Sequence, residues 1–196
     1  ITDEFKAGNY EIRPFFENLY CNVISRLPSG RNLDILIDFF REAGERIFGV
    51  NLKREEVWNR ILDGFTLSDP QGLAVDAGFY EMPDRLADGA ILHIDRANLT
   101  INNVISATLY DIGNTYKKYI DVLSGTEKHN KNMFFCGGAA LNNPMLIEAI
   151  ERATKTKANM PLIMDEVYIG LFRIALLCSR RCKTLAETEE RKLKIS

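Results

Sequence analysis

Residues 133–150 read MFFCGGAALNNPMLIEAI, and they could do chemistry through a backbone rather than through a side chain. The four residues MFFC are apolar enough for a buried strand. Two glycines and two alanines then turn the chain, and Asn142-Asn143-Pro144 opens an amphipathic helix. A strand, a turn nearly free of side chains and a helix N-terminus let a peptide backbone approach a nucleotide phosphate or an adenosine closely. This is not the dinucleotide fingerprint, because the third glycine and the later ribose-binding acid are missing. Nor is it a P-loop, since no Lys-Ser/Thr pair follows. On pattern alone, Gly137 and Gly138 are more simply a structural turn than a ligand site. Asn142 and Asn143 could meet a base or ribose, or could simply cap the helix.

A second constellation is Ser29-Gly30-Arg31-Asn32-Leu33-Asp34, at the start of another expected helix. Free N–H groups at such a start attract anions, and Arg31 adds a positive charge. Plain capping explains the same residues if the segment stands alone. Among the carboxylates, Asp76 lies in an apolar strand, where pairing with a backbone amide or a cation is the expectation. Asp111 lies within a long helix, where a solvated face or a salt bridge is expected. The two histidines, His93 and His129, cannot assemble a Ser–His–Asp set. Cys178 and Cys182 are four apart on an expected helix, but no His lies close to them in sequence. With Cys21 and Cys136 they read as free thiols of a reducing cytoplasm. No catalytic residue and no metal ligand is assigned to this chain.

The elements that must position these residues follow from periodicity. Strands are expected over 10–16 and 18–24, joined at Glu17-Asn18. A helix runs over 32–48 with Leu36, Phe40, Ala43 and Ile47 at three-four spacing, and Gly49 stops it. A shorter helix over 54–62 holds the single Trp58. Short strands are expected at 72–79 and 90–94, around a polar loop at 81–89. The longest helix, 100–123, carries the stripe Ile105, Leu109, Ile112, Tyr116, Ile120 and Leu123. After the strand at 133 and the helix to about 153 come a short strand over 160–164, an N-cap at Asp165 and a closing helix. The tail after Cys182 is charged and reads as surface helix or disorder. This order implies an α/β domain with a mixed sheet and helices on its faces.

The 196 residues suit a single domain, 1–196, with its core over about 10–182. A net charge of −2 provides no pull toward nucleic acid or an anionic membrane. No apolar run approaches the roughly 20 residues needed to span a bilayer. The chain opens on Ile1 and a polar stretch with no leader pattern, which suggests one domain of something larger.

The two weak glycine patterns gain meaning together. GGAALNNPMLIEAI resembles the adenosine-binding motif of the FGGY carbohydrate kinases. SGRNLDILIDFF resembles that family's glycine loop leading into a helix beside the nucleotide. GAILHIDRANLTINNVISATLYDIGNTY is similar to its G-x-I-x-x-I-x-x-x-N-x-T run into a long helix, and MDEVYIGLFRIALLCS to its closing helix, with Tyr168 in place of a small residue. The order and spacing of all four resemble the C-terminal domain of the family, nearest to sedoheptulokinase-like or xylulokinase-like members.

The resemblance implies an actin-like ATPase, or ribonuclease-H-like, domain that binds ATP or ADP with Mg2+ in a complete enzyme phosphorylating a sugar or polyol hydroxyl. It implies that Gly138 and Asn142 hold the adenine and ribose side, that Gly137 and Ala139 complete that turn, and that Gly30 lies near the phosphates. Asp34 stands where glycerol kinases have Gln; a carboxylate there repels phosphate unless Mg2+ intervenes. The family's catalytic Asp, most sugar contacts and the first phosphate motif belong to an N-terminal domain absent from this chain. That domain is the expected partner, and the chain alone is expected to be inactive; a homodimer is also compatible. Two rivals remain: a non-catalytic, kinase-derived interaction module, and another actin-like enzyme such as an acetate- or hexokinase-type kinase.

Overall fold

The structure is a computed structural model and describes residues 8–124, 133–136, 142–159 and 166–190. Strand β1 (Glu11–Pro14) pairs antiparallel with β2 (Tyr20–Val23), Glu11 opposite Val23 and Pro14 opposite Tyr20. The turn between them is a 3-10 segment, Phe16–Asn18, in which Glu17 and Asn18 both take φ near 60°. The expected connection at Glu17-Asn18 is therefore where the chain reverses, although both strands are shorter than the sequence suggests.

Helix α1 (Gly30–Phe48) starts two residues before its expected position. It buries Leu33, Leu36 and Ile37, with Phe40 packed against the same core. Ile47, expected on this stripe, is 70% exposed, so the packed face ends before the last turn. Gly49 stops the helix in the left-handed conformation at φ 66°. Its N–H reaches Glu45 O at 3.0 Å, and the Val50 N–H reaches Gly44 O at 3.2 Å. Helix α2 (Arg54–Leu62) follows, its Lys53 N–H donating to Glu56 Oε2 at 2.7 Å.

Strands β3 (Ala74–Asp76) and β4 (Ala90–Leu92) pair antiparallel, Val75 opposite Ile91. Between β4 and the next helix, Asn98 is only 2% exposed. Its Oδ1 accepts the Asp95 N–H at 2.9 Å, and its Nδ2 donates to His93 O at 3.0 Å. Thr100 Oγ1 accepts the Asn103 N–H at 3.1 Å, a first-turn cap. The Asn and Thr of the G-x-I-x-x-I-x-x-x-N-x-T run thus tie a loop and open a helix.

Helix α3 (Ile101–Ser124) is the spine. Ile105, Leu109 and Ile112 are buried as expected, and they meet Leu146, Ala149 and Ile150 of helix α4 (Pro144–Thr154) in one core. Gly113 permits the contact: a Cβ there would lie 2.6 Å from the Ala149 carbonyl oxygen. Three polar residues on α3 are buried with partners. Thr108 Oγ1 donates to Val104 O at 2.7 Å, Asn103 Nδ2 to Asn98 O at 2.9 Å, and Ser106 Oγ accepts the Ser68 N–H at 3.4 Å.

Strand β5 (Met133–Phe134) pairs in parallel with β6 (Ala158–Asn159). Helices α5 (Glu166–Cys178) and α6 (Leu185–Glu190) complete the described chain. The expected strand over 160–164 and the cap at Asp165 lie outside the described residues. Cys182, expected on a helix with Cys178, lies beyond the end of α5. The fold is mixed α/β. Among the described residues its strands form three two-stranded pairs rather than one mixed sheet. Strands of two to four residues have few ladder bonds, and the helices carry the core.

Candidate functional site

The first turn of α1 is built around Asn32, which is 4% exposed. Its Oδ1 accepts the Ser29 N–H at 3.1 Å, fixing the chain as it enters the helix. Its Nδ2 donates to Ala77 O, just past β3, at 2.5 Å. The Ala77 N–H in turn donates to Asp111 Oδ2 on α3 at 2.8 Å. One residue beyond β3 is therefore held through both its N–H and its C=O, by a side chain of α3 and a side chain of α1. The Gly30 turn is fixed in space by this relay.

Beside it, Asp76 meets both partners expected of it. Its Oδ1 accepts the Gly78 N–H at 3.0 Å, and its Oδ2 pairs with Arg85 Nη1 at 2.6 Å. Arg85 also donates through Nη2 to Asp88 O at 2.7 Å, and the Asp88 N–H returns to Gly78 O at 2.8 Å. The loop from Gly78 to Gly89 is thus strapped to its own base. Gly78 makes room for the strap, since a Cβ there would sit 2.1 Å from the Arg85 guanidinium. Farther along the loop, Asp84 Oδ1 accepts the Tyr119 hydroxyl at 2.5 Å and pairs with Lys118, both on α3.

The two carboxylates near Ala77 differ. Burial works to raise the pKa of Asp76, but the Arg85 hydrogen bond and the Gly78 amide outweigh it and hold the group below the usual carboxylate value. Asp111 is raised, chiefly by burial and further by the Asp76 charge, against the pull of the Ala77 amide and Arg85. The expectation of a solvated or ion-paired Asp111 is corrected: it is partly buried and accepts a backbone amide.

At the mouth of α1, a cavity of about 340 Å3 is lined by Arg26, Ser29, Arg31, Tyr80, Glu81 and Met82. The Arg31 guanidinium lies 5.1 Å from the centroid of the Tyr80 ring. Arg26 is 3.7 Å from Glu81. The strapped loop therefore forms the wall facing the start of α1, and Arg26 and Arg31 line the same cavity; of the first amides of α1, that of Asn32 already donates to Ser29 O at 2.9 Å. Arg26, Tyr80 and Arg85 were not singled out from the sequence as site residues. The two glycines bounding an Arg-bearing loop were the readable clue to Arg85.

Asp34 is placed one turn along α1, where its Oδ1 accepts the Trp58 indole N–H at 3.0 Å and its Oδ2 lies 3.8 Å from Arg54. Its carboxylate links α1 to α2. Asn142 is exposed in the turn before α4, and Asn143 is the cap, its Oδ1 accepting the Leu146 N–H at 3.1 Å. Gly137, Gly138 and Ala139 lie outside the described residues. Among the described residues no group of three or more His, Cys, Asp or Glu is arranged to hold a metal ion, and no helix is long and apolar enough to cross a membrane.

Helices α3 and α4 run antiparallel. Arg152 Nη1 donates to the Tyr110 hydroxyl at 2.9 Å, whereas Ala149, earlier on α4, abuts Gly113, later on α3. The first turn of α4 therefore lies along the C-terminal half of α3. Lys118 and Tyr119, which hold the loop, belong to that same half, and Asp111, which receives the Ala77 amide, lies near the midpoint of α3.

No family model matches the chain, and no curated protein matches it. Its fold does match solved structures. A ligand-bound xylulose kinase from Lactobacillus acidophilus superposes with a TM-score of 0.70 over 96% of this chain, at 10% sequence identity. The chain spans 38% of the length of that kinase. At such an identity the likeness shows the fold: this arrangement of helices and short strand pairs occurs within a sugar kinase.

Proposed function

We propose that this chain is the nucleotide-side domain of an ATP-dependent carbohydrate kinase. The observation that carries the reading is the arginine-flanked mouth of α1 at Gly30, set in a fold shared with a xylulose kinase over 96% of the chain. Bound ATP would supply the phosphoryl group for a sugar or polyol hydroxyl, with Mg2+ neutralising its charge. The Gly30 and Arg31 amides would receive phosphate oxygens, with the Arg31 side chain adding charge. Gly137, Gly138, Ala139 and Asn142 would hold the adenosine. Asp34 is part of the proposed site through position: it anchors Trp58 and Arg54 beneath the first turn rather than presenting a free carboxylate to phosphate. The base that deprotonates the hydroxyl would come from a separate N-terminal domain, and closure of that domain would exclude water.

Calorimetric titration of ADP and Mg2+ into the purified chain tests this. Saturable binding is expected, with no phosphorylation of any sugar by the chain alone. Gly138→Trp should abolish binding, because a bulky side chain would occupy the space the adenosine needs. Binding that survives Gly138→Trp unchanged would overturn the assignment. A second reading, a kinase-derived interaction module, is favoured by one observation: Val167, Tyr168 and Leu171 on α5 are each more than half exposed. Absence of ADP binding together with a stable partner complex would support that module instead.

A further inference from the structure

The two arginines lining the cavity at the start of α1 are held in opposite ways. Arg31 meets an aromatic ring: its guanidinium lies 5.1 Å from the centroid of Tyr80, and among the described residues it has no carboxylate partner. A ring face attracts a cation through its quadrupole without neutralising it. Arg31 therefore keeps its whole charge while the ring holds it in place. Arg26 meets a carboxylate instead, Glu81 at 3.7 Å, with both side chains more than half exposed. A pair that open and that long is broken at little cost. While it lasts, Glu81 also borders the same cavity with a negative charge.

Tyr80 and Glu81 are neighbours on the strapped loop, and their stretch of it is pinned on both sides. Before it, Gly78 O accepts the Asp88 N–H at 2.8 Å, and the Gly78 N–H donates to Asp76 Oδ1 at 3.0 Å. After it, the Met82 N–H donates to Arg85 O at 3.0 Å, and Asp84 accepts the Tyr119 hydroxyl of α3. On the facing wall, Asn32 follows Arg31 directly and ties the first turn of α1 to Ala77 O. Both members of the Arg31–Tyr80 contact are thus carried on anchored backbone. The ring is in place before any ligand arrives, which lowers the ordering cost of binding.

We infer that Tyr80 and Glu81 set the affinity of this cavity for a phosphate chain, with opposite signs. Tyr80 is a positioning residue: it holds the Arg31 guanidinium where a phosphate oxygen meets it. Glu81 is a competitor: the phosphate chain takes Arg26 from it and lies beside its charge. The inference rests on the nucleotide reading for the source of the phosphates, so inorganic tripolyphosphate, which has no adenosine, is the second probe beside ADP.

Calorimetry on the full chain compares the two probes, each with Mg2+, at about 50 mM KCl, where exposed charges are weakly screened. Both should bind. Tyr80→Leu should weaken both about threefold, and Tyr80→Phe, which keeps the ring, should recover most of that loss. Glu81→Gln should tighten both about threefold, and the gain should shrink at about 500 mM KCl. A gain in affinity does not come from misfolding, so Glu81→Gln decides the matter should Tyr80→Leu disturb the loop. ADP binding that ignores both Tyr80→Leu and Glu81→Gln would overturn the inference and leave the nucleotide reading standing. Tyr80→Phe as weak as Tyr80→Leu would also overturn it, by giving the role to the hydroxyl. Tripolyphosphate that follows the expected pattern without any binding of ADP would sustain the inference and overturn the nucleotide reading. Binding of neither probe would overturn both.

Discussion

Midway along α3, Asp111 receives the Ala77 amide while Asn32 of α1 reaches the carbonyl of the same residue, and Arg85 straps the neighbouring loop to its base. At the N-terminal end of α3, around Ile101, lies an open cavity whose walls are largely apolar. The first region resembles a site already organised, its polar groups spent on each other. In the second, Arg54 holds Asp38 closely and Arg41 pairs with the same carboxylate at 3.5 Å, beside apolar surface. The contrast separates two ways in which a fold can offer binding. One uses geometry held by hydrogen bonds, the other an unfilled apolar volume.

Changes where α3 meets α4 should disturb both regions at once. Gly113→Ala would put a Cβ 2.6 Å from the Ala149 carbonyl oxygen, and backbone cannot yield as a flexible side chain can. Forcing α3 and α4 apart should cost about 2–3 kcal/mol, typical of overpacking, read as a lowered urea midpoint. A Gly113→Ala variant as stable as the parent would show that the helices are not so tightly joined.

A smaller effect should discriminate between the two regions. Asn32→Ala leaves the Ala77 carbonyl and the Ser29 amide without their partner, at a cost of about 1–3 kcal/mol. It should also weaken ADP where ADP binds, because the Gly30 turn loses its anchor. The matched change in the lining of the open cavity, Arg60→Met, is expected to alter stability by no more than about 0.5 kcal/mol. Equal losses from the two would erase the distinction.

The finest test is pH. Asp76 has a folded-state pKa below the ordinary aspartate value of 3.8, so the unfolded chain binds the extra proton in the window just under 3.8, and stability is lost as pH falls through it. Asp111 is raised above 3.8, so the folded chain binds the extra proton in the window just above, and stability is lost as pH rises through it. Asp76→Asn should remove the first slope and Asp111→Asn the second, in denaturation curves collected between about pH 3 and 6. One slope surviving both substitutions would assign the titration to other groups.

Much of this architecture could be read from residue order. The α1 stop at Gly49, the α2 limits, the α3 stripe through Ile105, Leu109 and Ile112, and the Asn143-Pro144 opening of α4 all follow from local rules that need no neighbour. The Glu17-Asn18 reversal was readable for the same reason. Ile47 was misplaced because periodicity cannot say where a packing partner ends. Asp111 was misread because nothing nearby in sequence shows that Ala77, 34 positions earlier, points an amide at it. Which strands pair was not readable, because strand propensity does not reveal partners; among the described residues they form three two-stranded pairs.

Sequence alone determined the elements and their caps, because those depend on contacts within a few residues of each other. It also placed glycines where the backbone bends back or comes close. Tertiary structure decided that Ala77 would sit between Asn32 and Asp111, that Asp34 would serve Trp58 and Arg54, and that Arg54 would hold Asp38 more closely than Arg41 does. These outcomes depend on competition among groups distant in the chain for the same few partners, and only the packed arrangement of helices settles which group wins.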